Sequence, residues 1–226
     1  VDTWRALRGV GDEATVTIVR DLRMPRIALA ALVGAALALS GAAQQGILRN
    51  PLAEPYLLGV SGGAAAGTVL ALTLGVVSER GAGGSFLPLA GFAGSVIAVA
   101  LVLVVARSAG GEGDRRTLLM AGVIVGAFAN AAIMILLASA PPDALRNALW
   151  WMMGSVAGAD WRAVATLAAW LAAGAAYLVA VARDVDVLAL GREPAAALGV
   201  DAARVGRRVF LASALVAAAS VAAAGL

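Results

Sequence analysis

The side chains that most often carry reactions are missing from this sequence. It has no His, no Cys and no Lys, and all 17 of its basic residues are Arg. Thiol chemistry, disulfides and the usual zinc ligands go with them, and nucleophile–base pairs are nearly excluded. The 14 carboxylates remain, yet each lies in a loop or terminal segment, and no pair suggests an acid–base site within the hydrophobic runs. A phosphate-binding loop of the form G-x-x-x-x-G-K-[ST] needs a Lys, so none can be built here. Any ATP hydrolysis linked to this chain, with its ATP and Mg, belongs to a separate polypeptide. The Arg residues lie between apolar runs and form no basic face with interleaved aromatics, which argues against a nucleic-acid partner.

The elements that must position any functional residue are hydrophobic. The chain is 62% hydrophobic and 14% charged, with a mean hydropathy of +0.91, against about 45–50% apolar and about 25% charged in soluble domains. A core of ordinary size cannot hide that much apolar surface, whereas a bilayer can. A membrane span needs about 20 mainly apolar residues. Six stretches qualify: 25–46, 57–77, 87–107, 117–139, 161–182 and 207–226. Between the end charges none carries an ionisable side chain. Gln44, Asn130, Ser213 and Ser220 are polar but neutral. The runs are too long and too uniform for barrel strands, and Ala and Leu favour helix. The expected fold is an all-α, polytopic transmembrane bundle. Ion-coupled carriers and voltage sensors keep charges inside the membrane, so energy for transport would enter elsewhere. The first 24 residues are polar and mixed in charge, and read as a segment preceding the first span. Val1 and the apolar Leu226 suggest a piece of a longer chain.

The connections hold the helix breakers. Arg49-Asn50-Pro51-Leu52-Ala53-Glu54-Pro55 joins the first two spans and Gly81-Ala82-Gly83-Gly84-Ser85 the next two. A Gly-rich stretch with Glu112 follows the third, and Pro141-Pro142-Asp143 ends the fourth. Residues 143–153 suit a short interfacial helix with Trp150 and Trp151 at headgroup level. The connection 183–206 is too polar for lipid. Pro194 suits the first turn of a short helix over 194–198, and Gly199 its C-terminal cap. Such a loop suits docking or plain connection equally.

Two further patterns concern sides and packing. The side holding 47–56, 108–116 and 183–206 carries nine Arg against three (Arg80, Arg146, Arg162), which favours it as cytoplasmic. Five Arg in the N-terminal segment raise the poorer side to eight, so charge alone leaves the orientation open. Gly59, Gly63 and Gly67, then Gly122 and Gly126, recur four apart. That spacing suits close helix packing in lipid more than a pore lining.

Several motifs occur together and in order. Arg23-Met24-Pro25-Arg26 leads into Val33-Gly34-Ala35-Ala36 and Gln44-Gln45. The Arg49–Pro55 loop follows, with Leu58-Gly59-Val60-Ser61-Gly62-Gly63. Then come Leu119-Met120-Ala121-Gly122, Trp150-Trp151-Met152-Met153-Gly154-Ser155 and Asp160-Trp161-Arg162. Last are Leu188-Ala189-Leu190-Gly191-Arg192-Glu193 and Ala197-Leu198-Gly199. From about residue 21 to the end, the chain resembles FecCD-type permeases, the membrane-spanning subunits of ATP-driven importers for ferric siderophores, haem or cobalamin.

The resemblance implies ten spans per subunit, one before this chain and about three after it. It implies a second copy of the permease, two cytoplasmic ATP-binding subunits and a periplasmic or lipid-anchored substrate-binding protein, in the bacterial inner membrane. It assigns no enzyme activity and no cofactor to the chain itself. Leu188, Ala189, Leu190, Gly191, Arg192, Glu193, Ala197, Leu198 and Gly199 would couple to the ATPase. Arg23 and Arg26 would meet acidic residues of the binding protein, a role that the guanidinium fork suits. Arg anchoring at the interface is the plainer alternative. The span 117–139 would line the path, with Arg116 and Thr117 at a cytoplasmic gate and Met120, Asn130 and Met134 along the wall. Asn130 fits a helix–helix hydrogen bond equally well. Arg49, Asn50, Pro51, Leu52 and Pro55 form the signature loop, whose turn chemistry and contact with membrane lipid phosphate compete with a gating role. The competing reading of the whole is an ion-coupled secondary carrier or channel whose ion site lies in spans outside this sequence.

Overall fold

A computed structural model of the chain describes residues 3–75, 86–110 and 114–226. Gly81 to Ser85, Arg80 and Glu112, named above, lie outside the described residues. The described secondary structure is helical: α1 (Thr3–Leu7), α2 (Glu13–Thr17), a π turn (Ile18–Arg23), α3 (Met24–Leu48), a 3-10 turn (Pro55–Leu58), α4 (Val60–Thr73), α5 (Phe86–Ser108), α6 (Arg115–Ser139), α7 (Pro142–Met152), α8 (Trp161–Ala180), α9 (Ala182–Leu190), α10 (Arg192–Ala197) and α11 (Ala202–Ala224).

Among the described residues, five helical stretches are long and apolar enough to cross a membrane: Glu13–Leu48, Phe86–Ser108, Arg115–Ser139, Trp161–Ala180 and Ala202–Ala224. The sixth apolar run behaves differently. Where 57–77 reads as a span, α4 covers only 14 residues, about 21 Å of helix. Pro55 opens a 3-10 turn in which Leu57 and Leu58 lie, and Gly59 then takes a left-handed φ of 78°. At the other end Gly75 turns left-handed at φ 65°. Apolar composition marks these residues as lipid-compatible but cannot say which of them propagate helix. The first span differs in the opposite sense. Helix runs on upstream of residue 25 without a break, through the π turn and α2.

Local chemistry explains the other boundaries. Asp114, Asp160 and Asp201 are N-caps, their carboxylates accepting from the backbone N–H of Thr117 (3.0 Å), Ala163 (2.7 Å) and Arg204 (3.0 Å). The Arg204 N–H holds the Asp201 carboxyl below its ordinary pKa. In the 183–206 connection, α10 carries Pro194 in its first turn. Gly199, left-handed at φ 77°, follows its end and donates to Ala196 O at 3.0 Å.

The helices pack around α11. Some 56% of its apolar window is buried, against 17–33% for the other four spans. Val209, Phe210, Ala214, Ala217 and Ala218 are buried on successive turns. They meet α3, α5 and α8 in a core that includes Val99, Val102, Val125 and Leu178. Small side chains allow this approach, since close packing rather than the hydrophobic effect drives association in lipid. Ser40, Gln44 and Ser95 bond across helices. Gln44 Nε2 donates to Ser213 Oγ at 3.4 Å, Ser40 Oγ donates to Ser213 O, and Ser95 Oγ donates to Val60 O at 2.9 Å.

The glycine pattern is used for packing. A Cβ on Gly63 or Gly67 would run into the α5 backbone at Gly94 and Ala90, and one on Gly94 into Gly63. Gly59 and Gly62 face Gly122 and Gly126 of α6 in the same way, though less tightly. In α7, Trp150 is exposed as expected of a headgroup-level residue. Trp151 turns inward instead, onto the bare face that Gly91 leaves on α5.

Candidate functional site

Three groups of residues lie at defined places on this bundle. The first is where α3 ends. Arg49 closes the helix in a left-handed conformation, φ 48° and ψ 41°, and its N–H bonds back to Gln45 O. Asn50 cannot continue the helix because Pro51 follows it. Its side chain accepts from Leu52 N at 3.0 Å and its carbonyl from Ala53 N at 3.0 Å, while Gln45 Nε2 donates to Ala53 O at 3.2 Å. Ala53 and Pro55 are buried, and Leu52 points outward at 81% exposure. The signature loop is therefore a locally bonded turn with one apolar side chain displayed. Within it, partial burial first, and then the Glu54 carboxylate, raise the Tyr56 phenol above its ordinary pKa.

The turn is joined to the 183–206 connection. Arg49 Nε donates to Leu188 O at 3.0 Å. Gly46 lets α9 approach α3, since a Cβ there would lie 2.8 Å from Val185 Cγ1. Gly191 takes φ 143°, and a Cβ on it would sit 3.1 Å from Arg49 Nη2. Leu188 and Gly191 thus face the bundle. Ala189, Leu190, Glu193, Ala197, Leu198 and Gly199 face outward. Leu190 and Leu198 are 70% and 64% exposed. Arg192 begins α10. Beneath Leu188 lies a small cavity of about 70 Å³ between the ends of α3, α5, α6 and α11, with Arg107, Asp114, Arg115 and Arg207 at its rim.

The second group lies along α6. Arg116, Met120, Asn130 and Met134 are spaced at three- and four-residue steps with Val123 and Ala127 between them, and all six are exposed. Met120 and Met134 reach 63% and 69%. Asn130 is on this open stripe and makes no helix–helix contact among the described residues. Thr117 stands apart from the stripe. Its hydroxyl donates to the Asp114 cap at 2.8 Å, at the start of the helix.

The third group is at the far end of α3, about 35 Å from Arg49 at 1.5 Å per residue. Arg23 and Arg26 are both exposed there, flanking the buried Pro25. The helix widens to a π turn immediately before Pro25. Trp161, at the start of α8, donates from its indole Nε1–H to Arg20 O at 3.1 Å. The sequence holds no sign of this contact or of the Arg49–Leu188 bond, because both join residues more than 130 positions apart. Among the described residues, no group of His, Cys, Asp and Glu could hold a metal ion.

A multi-pass helical bundle with a displayed polar connection at one end is the architecture of a membrane permease. The chain belongs to the FecCD transport family, whose pattern matches it over residues 1–226. It is 41% identical over 217 residues to the cobalamin import system permease protein of Halobacterium salinarum, covering 96% of this chain and 57% of that one. It is 38% identical over 200 residues to the achromobactin transport system permease protein of Dickeya dadantii, covering 87% and 56%. It is 33% identical over 212 residues to the hemin transport system permease protein of Yersinia pestis, covering 91% and 61%. Among solved structures, a metal-chelate type ABC transporter in an inward-facing conformation matches with a TM-score of 0.86 at 29% identity, over 95% of this chain and 67% of that one. The chain thus spans somewhat less than two thirds of the curated relatives it matches.

Proposed function

We propose that this chain forms the membrane-spanning permease of an ATP-driven importer for an iron chelate (a ferric siderophore or haem) or cobalamin, in the bacterial inner membrane. The observation that carries this is the bond from Arg49 to Leu188. It fastens the α9–α10 connection to the end of a spanning helix while leaving Leu190, Glu193, Ala197 and Leu198 on the outer surface. A force applied to that surface is passed to α3 through a hydrogen bond and the Gly46–Val185 contact. The connection is the cytoplasmic coupling element, and the force comes from ATP binding and hydrolysis on two separate ATPase subunits, which also hold the Mg.

The remaining roles follow. A second copy of the permease faces the open α6 stripe, and the substrate passes between the two, with Met120, Asn130 and Met134 along the wall and Arg116 at its mouth. Flexible thioether side chains suit a bulky ligand that must not be held tightly. Arg23 and Arg26, at the opposite end, receive carboxylates of a substrate-binding protein.

The test is co-purification of the full-length protein with its ATPase from detergent. Leu190→Glu with Leu198→Glu is expected to abolish co-purification while leaving the permease folded and dimeric. Retention of the ATPase by that variant rejects the coupling assignment. Absence of any ATPase from the wild-type preparation favours an ion-coupled carrier.

A further inference from the structure

The π turn at Ile18–Arg23 ends against Pro25. In the π register, the N–H of Met24 bonds to Val19 O, five residues back. The next bond in that register would run from residue 25 to Arg20 O. Residue 25 is proline and has no N–H. Arg20 O is therefore left without a donor inside its own helix, and the α register offers no remedy, because Met24 is already committed to Val19. The indole N–H of Trp161 reaches the same oxygen at 3.1 Å. Arg20 and Trp161 are both exposed at this end of the bundle, so water competes for the oxygen, and the cross-helix bond supplies the one donor that is fixed to a neighbouring helix.

The donor is held in place independently. Asp160 caps α8 at Ala163 N. One helical face further in, Leu167 of α8 packs on Leu29 of α3, both 1% exposed. Trp161 thus reports the position of α8 to the wide turn. A π turn holds one residue more than an α turn, so losing it would rotate everything upstream by about 100° relative to α3. Arg23 lies inside the turn and Arg26 outside it, and their relative bearing depends on which register is kept.

We infer that Trp161 is a positioning residue. Its indole N–H replaces the donor missing at Pro25, locks the π register, and so fixes how the Arg23–Arg26 pair is presented to an acidic partner. The last clause rests on the docking role proposed for that pair. The lock itself does not.

The experiment uses the full-length protein in lipid nanodiscs, with hydrogen exchange measured over residues 18–24. Trp161→Phe keeps the ring and removes the donor. It is expected to speed exchange in this segment by roughly three- to tenfold, the worth of one hydrogen bond. Pro25→Ala restores a backbone donor. On that background Trp161→Phe is expected to change exchange by less than about twofold. Equal exchange in wild type and Trp161→Phe overturns the inference. So does the same increase on both backgrounds, which would mean that ring packing and not the hydrogen bond matters. Binding of the cognate substrate-binding protein is read in parallel. Weakening by Trp161→Phe, reversed by Pro25→Ala, supports the presentation role. Weakening by Arg23→Glu/Arg26→Glu but not by Trp161→Phe overturns that role. No weakening by either removes the docking assignment, and exchange still decides the lock.

Discussion

Arg49 does two jobs that pull in different directions. Among the described residues it is the one non-glycine with a left-handed backbone, a conformation that costs an L-residue about 1–2 kcal/mol. Its side chain offsets this by bonding Leu188 O, a charged donor on a half-buried carbonyl, worth about 1.5–3 kcal/mol when well shielded. The two can be separated by substitution. Arg49→Ala keeps the backbone cost and loses the bond, and is expected to lower unfolding stability by about 1–2 kcal/mol in a denaturant titration. Arg49→Gly loses the same bond but frees the backbone, and is expected to be within about 1 kcal/mol of wild type. Both should lower ATP-dependent uptake equally if the bond transmits force. Uptake that follows stability rather than the bond would show Arg49 to be only a helix cap.

At the scale of elements, the contact between α4 and α5 is the least tolerant of change. Gly63, Gly67 and Gly94 bring two backbones together, and the atoms a side chain would strike are carbonyls and Cα atoms, which cannot rotate away. Gly94→Val is expected to destabilise by about 3 kcal/mol or more, at the upper end for overpacking. Gly34→Val, where nothing lies within 4 Å, should be nearly neutral, as thermal unfolding in detergent will tell. The four-residue glycine spacing made the α4 side of this interface legible in the sequence, though not Gly94 on α5, and the apolar runs marked α5, α6, α8 and α11. What stayed hidden has a common cause. Hydropathy reports the medium around a segment and not its backbone register, so it missed the shortness of α4 and the continuation of α3 upstream of residue 25. Single residues divided the same way. Met120 and Met134 came from the family resemblance and lie on the open face of α6. Thr117 could not be separated from them without seeing its bond to Asp114.

At the scale of the whole molecule, the two proposed functional ends are joined by one helix. α3 carries the Arg pair at one terminus and Arg49 at the other. It is the shortest covalent route between the proposed receptor surface and the proposed motor surface. Reversing Arg23 and Arg26 to Glu in the full-length protein is expected to weaken binding-protein affinity roughly tenfold at low salt, and by less as salt screens the exposed charges. A salt-independent loss measured by surface plasmon resonance would point to misfolding of this end and not to lost charge complementarity.

The central position of α11 bears on biogenesis. Its apolar window has a mean hydropathy of 1.5, the lowest of the five spans, which otherwise run from 1.8 to 2.6. Arg204, Arg207 and Arg208 crowd its first turns. Judged by lipid affinity alone, it is the segment the insertion machinery would retain least readily, yet it is the one that the rest of the bundle surrounds. It is also the last of the described helices to leave the ribosome. α3, α5 and α8 must therefore wait, already in the bilayer and with their inner faces unmatched, until a weakly hydrophobic latecomer is drawn in by the niche they have prepared for it. Membrane integration of α11 is in that sense a templated event, in which the helices made before it serve as its solvent.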